Sequence, residues 1–238
     1  MRQEPVDPSQ STLGLLEHLL KQPFGFLKTL TDREAELKPL IVPLAVTSML
    51  GLALFGLLLG AFSGGTLLWA SPLKVVLGTA YSALICLPSL YVFSAMTGST
   101  FSWRSVAYAL LAMLAMLSVL LVAFAPVLWV FATSTESMGF YGTLGLIVWV
   151  IAFLMSGSLI KKLVKVEGAG TTGPLSLWLG VFLLVLLQTS TSIRPLLVDT
   201  GEWFTGEKKF FLQHWIDELA GEPVTSRTNT YEKGELEE

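Results

Sequence analysis

The chain has 238 residues, of which 53% are hydrophobic and 14% are charged, and its mean hydropathy is +0.66. Soluble domains carry about 25% charged residues, so this composition excludes an ordinary soluble domain. The net charge of −3 argues against nucleic acid as a partner, and the single cysteine excludes an intramolecular disulfide or a multi-cysteine metal site.

Residues 1–38 form a polar amino-terminal segment that contains one amphipathic helix. Met1–Ser11 is polar, and no apolar region follows it closely enough to indicate a signal peptide. Thr12–Leu30 carries leucine and phenylalanine at helical spacing, although Pro23 interrupts the pattern. The run is too interrupted to cross a bilayer, so we expect a helix that lies in the interface or packs under a bundle.

Five apolar runs follow, and none of them contains Asp, Glu, Lys, Arg or His. They are Leu40–Phe62, Val75–Met96, Val106–Phe131, Tyr141–Ile160 and Leu175–Ile193, with lengths of 23, 22, 26, 20 and 19 residues. At about 1.5 Å per residue, each run is long enough to span a hydrocarbon core of about 30 Å. The sequence therefore predicts an all-α, polytopic integral membrane helical bundle with five transmembrane helices in residues 39–197.

The first run contains a pair of glycines, Gly56 and Gly60, at the GxxxG spacing. This spacing favours a face where another helix approaches closely, although glycine is also common in membrane helices that make no such contact. Phe62–Lys74 is predicted to be a short loop that places Trp69 at the depth of the membrane interface.

The second run contains several polar residues and Pro88. A proline inside a helix removes one backbone hydrogen bond and predicts a kink. Its serines and Tyr91 carry polar groups that lipid cannot satisfy, so we expect this helix to lie inside the bundle with Tyr91 facing other helices. Cys86 is interpreted as a small buried apolar residue.

Lysine and arginine near the ends of the runs predict the orientation of the chain. The amino-terminal side has eight of them: Lys21, Lys28, Arg33, Lys38, Arg104, Lys161, Lys162 and Lys165. The opposite side has four: Lys74, Arg194, Lys208 and Lys209. We therefore expect a cell inner (plasma) membrane protein with a cytoplasmic amino terminus and a carboxyl terminus outside.

The tail, residues 198–238, contains an aromatic amphipathic segment, Trp203–Leu219, followed by an acidic end. Phe211, Trp215 and Leu219 recur at every fourth residue and share one helix face. The face favours either an anchor in the membrane interface or a docking surface for a partner protein. An anchor in anionic lipid is normally flanked by lysine and arginine, so the acidic residues on both sides of this segment favour docking. Both interpretations remain open.

No pattern of residues in the chain predicts catalysis, a cofactor or a metal site. The two histidines, His18 and His214, fall on opposite sides of the membrane in this topology. Proteases and proton-coupled carriers that act inside membranes use an ionisable residue within the bilayer, and none of the five runs has one. Gln188, Thr189 and Ser190, with Tyr91, could still line a path for a neutral solute.

Two basic residues at the predicted outer interface, Lys74 and Arg194, are candidates for contact with a ligand. Long basic side chains at this depth commonly reach towards lipid phosphates. A more specific interpretation is that the pair holds an anionic lipid head group or the acidic residues of a partner. Arg194 is the stronger candidate because it follows a hydroxyl-rich helix end and precedes Pro195.

The arrangement resembles the Yip1-type membrane proteins. The resemblance covers Leu40 to Leu197 and rests on five closely spaced runs, a polar amino-terminal region and the proline-containing segment Cys86–Tyr91. The segment Ile193-Arg194-Pro195 is similar to that of bacterial, uncharacterised relatives of this family, whereas the long tail departs from its compact eukaryotic members. The resemblance implies a membrane scaffold and carries over no catalytic residue.

Taken together, these features predict a non-enzymatic integral subunit or scaffold of a membrane protein complex. Its expected partners are membrane lipids and other membrane protein subunits, with no cofactor. The alternative is a small channel or carrier for a neutral or lipid-like solute.

Overall fold

The computed structural model describes residues 39, 41–63, 67–134, 138–166 and 171–192. Within these ranges the chain forms five α-helices and no strand, which confirms the predicted all-α bundle. The helices are α1 (Ile41–Ser63), α2 (Leu67–Met96), α3 (Trp103–Ser134), α4 (Met138–Val166) and α5 (Gly173–Ser192). The predicted amphipathic segments Thr12–Leu30 and Trp203–Leu219 lie outside the described residues.

Four of the helices are long and apolar enough to cross a membrane, as judged from length and composition. Their apolar stretches are Ile41–Ala61, Leu68–Met96, Trp103–Ser134 and Phe140–Lys162. The apolar stretch of α5, Gly173–Thr189, is shorter, although the whole helix has 20 residues and extends over about 30 Å. The structure is therefore compatible with a multi-pass membrane protein, and the fifth crossing stays a prediction.

The helices extend beyond the apolar runs that predict them. The loop predicted over Phe62–Lys74 is wrong, because α2 begins at Leu67 and includes Trp69 and Lys74. A run without ionisable residues marks the part of a helix that lies in hydrocarbon, whereas a helix can continue into the interface, where a lysine reaches water along its own stem. Lys161 and Lys162 likewise lie inside α4, near its carboxyl end.

The helices pack in an order that differs from their order in the chain. Helix α1 packs against both α2 and α3, while α4 packs on α3 and α5 packs on α2. Smaller contacts between α4 and α5 close the ring. Helix α3 contributes a buried stripe at helical spacing that consists of Val106, Leu110, Met113, Leu117, Leu121 and Leu128.

Two side-chain contacts show that α2 and α5 run in opposite directions. Ser82 of α2 contacts Thr189, and Ser89, about two helical turns further along α2, contacts Trp178 near the start of α5. The second and fifth helices of a chain that crosses a membrane repeatedly must run in opposite directions. The packing therefore agrees with the alternation that five successive crossings require.

Large apolar side chains cover the outside of the bundle. Trp69 is 77% exposed, and Leu50, Leu154 and Leu184 are each more than half exposed on three other helices. Soluble monomers rarely expose contiguous apolar surface of this extent. A hydrocarbon environment accommodates such a surface without cost.

Candidate functional site

The polar groups inside the bundle form contacts between helices, and the contact between α5 and the proline-containing part of α2 is the most developed of them. The indole nitrogen of Trp178 donates to the Ser89 hydroxyl over 2.9 Å and lies 3.3 Å from the Cys86 carbonyl. The Ser89 hydroxyl in turn donates to the same carbonyl over 2.8 Å. Trp178 and Cys86 are both buried, so these bonds form away from solvent and fix the position of α5 on α2.

A second contact joins the same two helices about 10 Å nearer the start of α2. The Ser82 hydroxyl donates to the Thr189 hydroxyl over 3.0 Å, and Thr189 donates to the Val185 carbonyl over 2.8 Å. Ser82 is fully buried. The hydroxyl groups of Ser82 and Thr189 are therefore both hydrogen-bonded, as polar groups within hydrocarbon must be.

This contact bears on the predicted path for a neutral solute. Tyr91 lies nine residues beyond Ser82 on α2, which is about 13 Å along the helix axis. The structure therefore places Tyr91 and Thr189 at different depths of the bundle. Gln188 is half-buried, and the side chain of Ser190 lies outside the described residues.

Helices α1 and α3 meet closely at Gly51 and Ser118. A β-carbon on Gly51 would lie 2.7 Å from the Ser118 β-carbon, so only glycine permits this approach. The Ser118 hydroxyl lies 2.8 Å from the carbonyl of Ala115 on its own helix and 3.2 Å from that of Thr47 on α1. A small residue and a hydroxyl at one crossing are typical of helix pairs in membranes.

The predicted pairing face at Gly56 and Gly60 lies on the buried side of α1. A β-carbon on Gly56 would lie 2.6 Å from the α-carbon of Pro72 and 3.0 Å from the carbonyl oxygen of Ser71. Both neighbours belong to the amino-terminal part of α2, in the segment that the sequence assigned to a loop. Gly56 is therefore a point of backbone-to-backbone contact between α1 and α2.

Helices α1 and α4 are joined by Tyr141. Its ring is fully buried, and its hydroxyl donates to the Leu58 carbonyl of α1 over 3.1 Å. One turn later, a β-carbon on Gly145 would lie 3.1 Å from the Cδ2 atom of Leu59. Tyr141 thus links α4 to α1.

Pro88 and Tyr91 lie towards the outside of α2. The helix continues through Pro88 without interruption, and the predicted bend at this residue stays a prediction. Tyr91 is 38% exposed, and its ring contacts Trp103 of α3 edge-on with a centroid separation of 5.5 Å. One part of the Tyr91 ring therefore contacts α3, and the rest of the side chain lies at the surface of the bundle.

The candidates for contact with lipid or partners are distributed between the described helices and the tail. Lys74 is half-buried in α2. Arg194, Phe211 and Trp215 lie outside the described residues, so their predicted contacts stay predictions. Within the described ranges, no group of three or more potential ligand residues is close enough to hold a metal ion.

Three residues that hydrogen-bond between helices do not stand out in the sequence, namely Trp178, Ser118 and Tyr141. For Trp178 a signal was available, because an indole N–H inside an apolar run requires an acceptor. Neither Ser118 nor Tyr141 has such a signal, since serine and tyrosine inside a span can also bond to their own helix or lie at its end.

The chain matches no protein-family model, no curated protein and no solved structure. The resemblance to Yip1-type membrane proteins therefore stays a prediction.

Proposed function

We propose that the chain is a non-enzymatic integral subunit or scaffold of a membrane protein complex. The observation that carries this proposal is the use of the buried hydroxyl groups. Ser82 and Ser118 bond across helix pairs, and Ser48 and Ser156 donate to carbonyls of their own helices. Hydroxyl groups used in this way either join two helices or are satisfied within one, and they leave few polar groups of the described helices to bind a substrate.

The distribution of charge supports the same proposal. The ionisable residues of the described helices are basic and lie towards helix ends: Lys74, Arg104, Lys161, Lys162 and Lys165. Catalysis and ion coupling within a membrane depend on acids, bases or histidine at bilayer depth. The middle parts of these helices provide none, which favours a structural role.

The same basic residues support an orientation for the proposed subunit. The excess on the side of the amino terminus favours a cytoplasmic amino terminus and, with five crossings, a carboxyl terminus outside an inner (plasma) membrane. The tail would then meet partners on the outer side. Arg194, Phe211 and Trp215 are the residues that we expect to contact lipid or a partner subunit there.

The test is affinity purification in a mild detergent of the wild-type chain and of a variant with Phe211→Ala and Trp215→Ala. We expect a partner protein that purifies with the wild type in fixed ratio and that the variant loses, while the variant still inserts into the membrane. A matched control is the replacement of exposed Leu154 and Leu184 by Ala, which leaves the tail intact and should retain the partner.

Two outcomes would contradict parts of this proposal. If the double variant keeps its partners and loses only stability in detergent, the tail is an interfacial anchor and the docking role is wrong. If the wild-type chain purifies without any other protein and increases the flux of a neutral solute across vesicles, the carrier function replaces the scaffold.

A further inference from the structure

We draw no further inference here: the strongest candidate, the outward face of α2 on which Tyr81, Leu84 and Tyr91 are exposed, carries no proposal because nothing in the structure shows what covers it.

Discussion

Replacement of Gly56 by alanine tests the backbone contact between α1 and α2. The added β-carbon would lie 2.6 Å from the Pro72 α-carbon, 2.9 Å from the Pro72 nitrogen and 3.0 Å from the Ser71 carbonyl oxygen. All three atoms belong to the backbone, so no change of rotamer can relieve the overlap. The two helices must move apart, and overpacking of this kind costs about 1–3 kcal/mol of the free energy of unfolding.

The matched control for Gly56→Ala is Gly180→Ala in α5. A β-carbon on Gly180 meets no atom within 4 Å, so only the intrinsic change from glycine to alanine remains. We expect Gly180→Ala to raise the free energy of unfolding by about 0.5–1 kcal/mol, which is the intrinsic preference of a helix for alanine over glycine. Because both substitutions remove the same backbone freedom, the difference between them isolates the packing of α1 on α2.

The assay is reversible unfolding in mixed micelles, followed by loss of helical packing as the denaturing detergent is increased. Gly145→Ala gives an intermediate case, because its nearest neighbour is the flexible end of the Leu59 side chain at 3.1 Å. The order of destabilisation should be Gly56→Ala, then Gly145→Ala, then Gly180→Ala. If Gly56→Ala is as stable as Gly180→Ala, the close approach of α1 and α2 is wrong.

Two further predictions concern α5 and the topology of the chain. Trp178→Phe should cost about 1 kcal/mol of the free energy of unfolding, since it removes the N–H donor to Ser89 from a buried site. The same change at Trp69, which is 77% exposed, should cost less than about 0.5 kcal/mol. Equal costs at the two positions would contradict the assigned contact. A reporter enzyme active only outside the cytoplasm should be active when fused at Ser134 and inactive when fused at Gly170, and the reverse pattern would invert the predicted orientation.

The sequence predicts the number and approximate position of the helices well, because a long apolar run without charge has few other stable structures. It does not predict where α2 begins. Lys74 marks the amino-terminal limit of the run without ionisable residues, but the helix already begins at Leu67. Neither a lysine nor an interfacial tryptophan prevents helical backbone hydrogen bonds.

Which helix faces which could not be predicted either. A helix that is apolar on all sides gives no periodic signal for its buried face, unlike an amphipathic helix of a soluble protein. Gly56 and Gly60 indicate a close approach by some helix, but only the structure shows that the backbone opposite Gly56 belongs to Pro72. The bonds of Ser82 and Trp178 likewise depend on the placement of α5 against α2, which local sequence does not encode.

The central claim is that this bundle serves as a structural subunit of a membrane complex. Its most direct test is the mass of the assembly that contains the chain when it is extracted with its surrounding lipid and without detergent exchange. We expect a discrete particle that contains copies of the chain and at least one other protein in a fixed ratio. A particle that contains only copies of this chain, recovered in full yield, would contradict it.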